Sequence, residues 1–152
     1  MKLLVKLVAK LLGVMRNDDE PRADMYLPEK LLAIALVFLI GGIVCILFTL
    51  NQFAVETLVG GVFGIGFGYF ALLCWKNQTI QVESNSYFTY TTMFGKSRTY
   101  AFADIQGLRQ NRDSMTLFVA GDKVHIESMA VMSQRLVDLI NKALENQHAK
   151  EV

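Results

Sequence analysis

The chain has 152 residues, a net charge of +1 and a 53% share of hydrophobic residues. This length suits one modest domain with a few membrane segments, and the hydrophobic share is high for a soluble domain. Because the basic residues are scattered and the net charge is close to zero, we expect no nucleic-acid partner. Cys45 and Cys74 both lie in apolar runs and do not indicate a disulfide framework.

The opening residues 1–16, MKLLVKLVAKLLGVMR, predict an amphipathic helix that lies on a membrane surface without crossing it. On a helix Lys2, Lys6 and Lys10 share one narrow face with Arg16, while leucine and valine fill the rest. Lysine side chains of such a helix reach the lipid phosphates while the apolar face sinks below the headgroups. Two alternatives stay open, namely a helix packed on the protein's own core and a secretory signal. The signal requires an unbroken apolar centre, which the lysines interrupt.

Two long uncharged runs follow an acidic linker over residues 17–30. The first covers residues 31–50 and the second residues 57–75, and six residues, NQFAVE, separate them. Crossing the roughly 30 Å of membrane hydrocarbon takes about 20 apolar residues in a helix. The two runs therefore predict an antiparallel transmembrane hairpin over residues 31–76.

The charges around this hairpin predict its orientation. The short loop contains Glu56 and no lysine or arginine, whereas Lys30 and Lys76 lie at the outer ends of the two runs. Basic residues favour the cytoplasmic side, so we expect a multi-pass protein of the cell membrane with both termini in the cytoplasm. Trp75 would then lie in the aromatic belt at the membrane surface.

Glycines recur every four residues in the second run, at Gly60, Gly64 and Gly68. Such a stripe of small residues lets another helix approach closely. It packs either against Gly41-Gly42 of the first run or against a second copy or a partner subunit, and both interpretations stay open. Neither run contains an ionisable residue, which argues against an ion pathway within one chain.

The second half of the chain reads as short strands joined by tight turns, followed by an amphipathic helix. A turn at Gly121-Asp122 separates the last two strands, and apolar residues recur at helical spacing from Ala130 onward. This pattern predicts an α+β fold in which a C-terminal helix closes an antiparallel sheet. The predicted strands cover residues 79–83, 87–93, 97–102, 105–112, 115–120 and 123–127.

This half resembles the bacterial pleckstrin-homology-like domains that are attached to membrane helices. The resemblance rests on the segment YFTYTTMFGKSRTYAF, on Ala103-Asp104-Ile105 after it, on MTLFVAGDKVHIES and on the terminal helix. It places a cytoplasmic pleckstrin-homology-like domain at residues 77–148. The resemblance implies a binding or assembly role rather than catalysis.

Chemistry-bearing residues are sparse. His125 lies in a predicted strand and His148 in the tail, so we expect no metal site, no cofactor and no catalytic residue. Lys96 and Arg98 are weak candidates for a lipid headgroup or partner contact. Headgroup recognition needs several converging basic residues, and the chain from residue 79 onward has eight basic and eight acidic residues.

The sequence thus indicates a non-enzymatic, membrane-anchored scaffold or accessory subunit. Its expected partners are the lipid bilayer and either further copies of itself or another membrane protein. The alternative is a lipid-sensing or membrane-shaping protein that acts through the basic helix at residues 1–16.

Overall fold

The structure is a computed structural model that describes residues 23–51, 54–112 and 114–151. These residues form a helical unit, Pro28–Lys76, and a sheet unit that joins residues 23–27 to the chain from Asn77 onward. Two long apolar helices, antiparallel sheets and a C-terminal helix confirm the predicted α+β class. The predicted amphipathic helix at residues 1–16 lies outside the described residues.

The helical unit contains α1, Glu29–Asn51, and α2, Val55–Asn77. Both helices extend slightly beyond the uncharged runs, with Glu29 in the first turn of α1 and Lys76 in the last turn of α2, where each charge complements the helix dipole. Mean hydropathy reaches 3.1 in α1 and 1.8 in α2, so both are long and apolar enough to cross a membrane. Only 17% of the most apolar stretch of each is buried.

The first sheet of the sheet unit has five strands in the order β4-β3-β2-β1-β8, and all neighbouring strands are antiparallel. Strands β2, β3 and β4 were predicted, whereas the two-residue strands β1 and β8 were not. The strands are β1 (Met25–Tyr26), β2 (Thr79–Val82), β3 (Tyr87–Thr91), β4 (Ser97–Ala101) and β8 (Val131–Met132).

The second sheet is a three-stranded meander of β5 (Ile105–Gln110), β6 (Ser114–Val119) and β7 (Asp122–Glu127). The predicted turn at Gly121-Asp122 is displaced by one residue, because Asp122 pairs with Val119 and already belongs to β7. Ala120 and Gly121 form the turn instead, with φ of 51° and 82°. Two successive positive φ angles define the tight hairpin turn whose twist suits antiparallel strands.

The C-terminal helix α3, Gln134–Glu151, begins later than the predicted start at Ala130, since β8 precedes it. Ser133 caps the helix, because its Oγ accepts a hydrogen bond from the backbone N–H of Leu136 at 3.2 Å. Leu136 is buried together with the inward side chains of both sheets. This single apolar core therefore binds the two sheets and α3 together.

The core follows the two-residue period of the strands. Phe88 and Tyr90 point inward from β3, while Thr89 and Thr91 point outward. The ring of Phe88 lies 4.9 Å from that of Phe102, which belongs to a short 3₁₀ turn (Phe102–Asp104) between β4 and β5. Asp104 lies in this turn.

Candidate interaction sites

The two apolar helices approach each other through glycines. A Cβ built on Gly68 would lie 2.8 Å from the backbone oxygen of Ala35, and one on Gly64 would lie 3.1 Å from the Cα of Gly42. These distances leave no room for a side chain, since the opposing atoms belong to backbone. Gly64 and Gly68 of the predicted stripe therefore face α1 of the same chain.

Gly60, the third member of the stripe, behaves differently. A Cβ built on Gly60 or on Gly41 would meet no atom within 4 Å. Both glycines line an open apolar groove of about 630 Å³ on the surface of the helix pair. We call it the glycine groove, and it is lined by Val37, Phe38, Gly41, Gly42, Cys45, Gly60, Phe63, Gly64 and Phe67.

The walls of the glycine groove are aromatic. The rings of Phe38 and Phe67 pack at an interplanar angle of 60° with their centroids 4.7 Å apart, and Phe63 is 75% exposed. Bare backbone at Gly41 and Gly60 between these rings is the kind of surface against which a further apolar helix packs closely. The glycine groove is therefore the part of the predicted glycine face that is open to a partner.

Thr49 and Thr57 tie the two helices together near the connection between them, with their hydroxyl oxygens 2.9 Å apart. Trp75, expected in the aromatic belt, is instead buried, with 2% of its surface exposed. Its position relative to a membrane surface stays a prediction.

Hydrogen bonds of Asp24 tie the start of the described chain to the sheet unit, a role that the sequence pattern did not indicate. One carboxylate oxygen accepts a hydrogen bond from the backbone N–H of Val82 at 2.8 Å, and the other accepts one from the Ser133 hydroxyl at 2.7 Å. The backbone N–H of Ser133 donates to the carbonyl oxygen of Asp24. These bonds place β1 between β2 and β8, within the stretch predicted to be a linker.

A polar cluster bridges the two sheets at one rim. Arg98 donates from Nη1 to Oδ2 of Asp122 at 2.8 Å, and the hydroxyl of Tyr100 donates to the same oxygen at 3.0 Å. The pair with Asp122 raises the pKa of Arg98, and desolvation, followed by the bond to Asp122, raises the pKa of Tyr100. Because Asp122 is part of β7, its side chain lies on the inward face together with Val124.

This cluster weakens the headgroup prediction. Arg98 is engaged by Asp122, so its charge is compensated. Lys96 and Lys123 flank a small cavity of about 230 Å³ beside the ion pair, and Lys96 is exposed. The charge of Arg98 is balanced by Asp122, which leaves Lys96 and Lys123 as the basic residues at this cavity. Headgroup recognition needs several converging basic side chains.

A larger cleft of about 830 Å³ runs between α3 and the 3₁₀ turn. Phe102 and Ala143 form part of its apolar floor, whereas Arg135 at the rim donates to Oδ1 of Asn85 at 3.3 Å. Among the residues that the structure describes, no group of three histidine, cysteine, aspartate or glutamate residues is placed to hold a metal ion. His125 is half-exposed, with its Nδ1 3.3 Å from the hydroxyl of Thr116.

The predicted surface residues Lys2, Lys6, Lys10 and Arg16 lie outside the described residues. Fold and surfaces together define a small α+β protein with two exposed apolar helices, a split sheet unit and an open helix-packing groove. The chain belongs to DUF6560, a family of unknown function, whose model matches residues 10–144. Neither the curated proteins nor the solved structures contain a match to this chain.

Proposed function

We propose that this protein is a membrane-anchored scaffold or accessory subunit whose helix pair spans the membrane as a hairpin. The exposure of α1 and α2 supports membrane insertion. A core helix of a soluble domain would be mostly buried, yet 17% of each apolar stretch is buried here. Large apolar side chains such as Phe48 and Phe63 are 65% and 75% exposed. Lipid is the solvent that suits such a surface.

The main support for the hairpin topology is that one sheet contains strands from both sides of the helix pair in the chain. β1 precedes α1 in the chain and β2 follows α2, yet Tyr26 pairs with Thr79 in one sheet. Residues on either side of the hairpin must therefore reach the same face of the membrane. Together with the basic flanks Lys30 and Lys76, this supports a cytoplasmic location for the sheet unit and for both termini.

The sheet unit supports the assembly part of the proposal. The sheet unit has a five-stranded and a three-stranded antiparallel sheet, and the C-terminal helix packs on their shared core. This arrangement resembles that of pleckstrin-homology-like domains. The proposed role is to hold the sheet unit at the membrane while the glycine groove receives a helix of a second copy or of a partner membrane protein.

Gly60→Leu tests this role, because a Cβ at this position meets no atom within 4 Å and the rest of the leucine side chain would extend into the glycine groove. Gly66→Leu is the matched control. It adds the same side chain to the same helix, has no atom within 4 Å and does not line the groove. Tagged full-length protein extracted from its native membrane in mild detergent is analysed by native mass spectrometry.

We expect the unmodified protein and Gly66→Leu to be recovered in a complex heavier than the 17.1 kDa chain. Gly60→Leu should shift the protein towards that single-chain mass, since overfilling a packed contact costs about 1–3 kcal/mol. A foreign protein in the complex identifies an accessory subunit, and copies of this chain alone identify a self-assembling scaffold. Recovery of the unmodified chain as a monomer would refute the proposal.

A further inference from the structure

Several of the large apolar side chains that the sheet unit exposes lie at one end of its strands, while Tyr87 at 52% and Leu108 at 40% are exposed elsewhere. Among its described residues, the large exposed ones include Phe94 at 67%, Met129 at 47% and Val131 at 42%. Phe94 lies in the turn between β3 and β4, and Met129 lies in the connection from β7 to β8. The strand register places these three residues at the same end of the strands, with Phe94 and Val131 towards opposite edges of the five-stranded sheet.

The register brings them to the same end. Val131 pairs with Tyr26, Tyr26 pairs with Thr79, and Thr79 pairs with Thr91. The turn that carries Phe94 follows directly after Thr91, and Met129 stands just before Val131 in the chain. Phe94, Met129 and Val131 therefore form one apolar rim, which we call the end rim.

The end rim is also where the two apolar helices join the sheet unit in the chain. Tyr26 shortly precedes the start of α1 at Glu29, and Thr79 shortly follows Asn77, the last residue of α2. Asn77 donates from Nδ2 to the backbone oxygen of Met93 at 2.8 Å. This hydrogen bond holds the turn bearing Phe94 beside the residue at which α2 ends.

The charges near the end rim suit a membrane surface. Lys96 is exposed in the same turn as Phe94, and Lys76 lies three residues before Thr79 in the chain. Glu127 lies two residues before Met129 in the chain, with its Oε1 3.4 Å from Nε2 of His125. An exposed aromatic ring beside lysine is a combination that favours the interfacial layer, where the ring enters the headgroup region and the ammonium group reaches phosphate.

We propose that the end rim docks on the surface of the bilayer that the hairpin crosses, with Phe94, Met129 and Val131 in the interfacial layer. The inference rests on the proposed membrane anchoring and adds a second, peripheral contact to it. The cleft along α3 and the ion pair Arg98–Asp122 are not part of this contact.

The test uses fluorescent labels at single cysteines in the full-length protein, with Cys45 and Cys74 replaced by alanine. Phe94→Cys places the label on the end rim, and Met129→Cys is a second such position. Both side chains are largely exposed, so their replacement spares the core. The protein is reconstituted in phosphatidylcholine vesicles with a minor fraction of phosphatidylglycerol and with nitroxide-labelled lipids as quenchers.

Two reference positions separate the possible outcomes. Tyr87→Cys labels an exposed residue at the opposite end of β3, and Leu47→Cys labels an exposed residue of α1. We expect strong quenching by the lipid nitroxides at Leu47 and, near the headgroup depth, at Phe94 and Met129. Quenching at Tyr87 should be several-fold weaker.

Quenching at Leu47 with none above the Tyr87 level at Phe94 and Met129 would overturn docking and leave the membrane anchor intact. A blue-shifted but unquenched label at Phe94 would mean that protein covers the end rim, which also overturns the proposal. Absence of quenching at Leu47 would refute the membrane anchor itself, and the docking with it.

Discussion

The helical unit exposes many of its large apolar side chains, whereas the sheet unit buries most of its own in a core. In the sheet unit Phe88 is 1% exposed and belongs to a continuous core, whereas Phe48 in the helical unit is 65% exposed. The helices instead contact each other where side chains are missing, at Gly64 and Gly68. Burial of apolar area stabilises the sheet unit, and close backbone approach holds the helix pair together.

This contrast indicates which kind of substitution harms each unit. Removing a buried apolar side chain destabilises a core through lost transfer free energy and a remaining cavity. An exposed apolar side chain contributes little to packing within the chain, so its removal costs little. Adding bulk has the larger effect at a glycine contact, because the opposing backbone cannot move away.

The largest effect is expected for Phe88→Ala. It should lower the free energy of unfolding of the sheet unit by about 3–5 kcal/mol, because the ring contacts Phe102 in the buried core. Phe48→Ala is the matched variant in α1 and should change stability by less than about 0.5 kcal/mol. Urea denaturation of the detergent-solubilised protein, followed by circular dichroism, measures both. Equal losses would show that α1 is packed inside the protein rather than exposed.

A smaller effect is expected for Gly68→Leu, at about 1–3 kcal/mol. The leucine would meet the backbone of Ala35 and Leu39, and the helices would have to separate. Gly66→Leu, which has open space around it, provides the control for changed helix propensity. The two variants are compared by titrating the detergent micelles with sodium dodecyl sulfate. Energy transfer between labels on the two helices measures how far the helices separate. Similar behaviour of both would mean that the glycine contact does not hold the pair.

The smallest effect is a pH dependence that should be confined to the sheet unit. The pKa of Tyr100 is raised above its usual value of about 10, first by desolvation and then by its hydrogen bond to Asp122. A raised folded-state pKa stabilises the fold below the unfolded-state pKa, and this contribution is lost as pH rises through the folded-state value. The Tm of the sheet unit should therefore fall as the pH rises above about 10.

Tyr100→Phe removes this titration and should lessen the alkaline fall in Tm. Arg98 keeps its charge throughout, since its pKa is raised by Asp122. Thermal unfolding followed by circular dichroism at several alkaline pH values measures how far Tm falls in each variant. Tyr87→Phe, at an exposed position, is the control. An unchanged alkaline slope in Tyr100→Phe would show that the hydroxyl does not contribute to the link between the sheets.

Elements with a clear period were predictable. The uncharged runs became α1 and α2, and the alternating stretches became β2 to β7 close to their predicted bounds. The two-residue strands β1 and β8 were missed because two residues show no alternation. Their pairing arises from the hydrogen bonds of Asp24 to Val82 and Ser133, which join distant parts of the chain.

The candidate sites were predicted in residue type and only partly in position. The glycine stripe was visible as a spacing, but the packing of α2 places Gly68 against the backbone of α1 and leaves Gly60 open in the glycine groove. A shift of one residue in the turn after β6 placed Asp122 in a strand, where it pairs with Arg98. The spacing of residues along the chain shows neither how α2 packs against α1 nor which residues of neighbouring strands pair.

By itself the sequence determined the local structure of this protein: two apolar helices, a set of short strands and a terminal helix. Hydrophobic length and period are properties of neighbouring residues, so they can be read along the chain. The tertiary structure alone decided that the sheet unit is assembled from both sides of the hairpin and that one glycine of the stripe stays open. Both outcomes depend on contacts between residues far apart in the chain, and packing, rather than periodicity, selects those contacts.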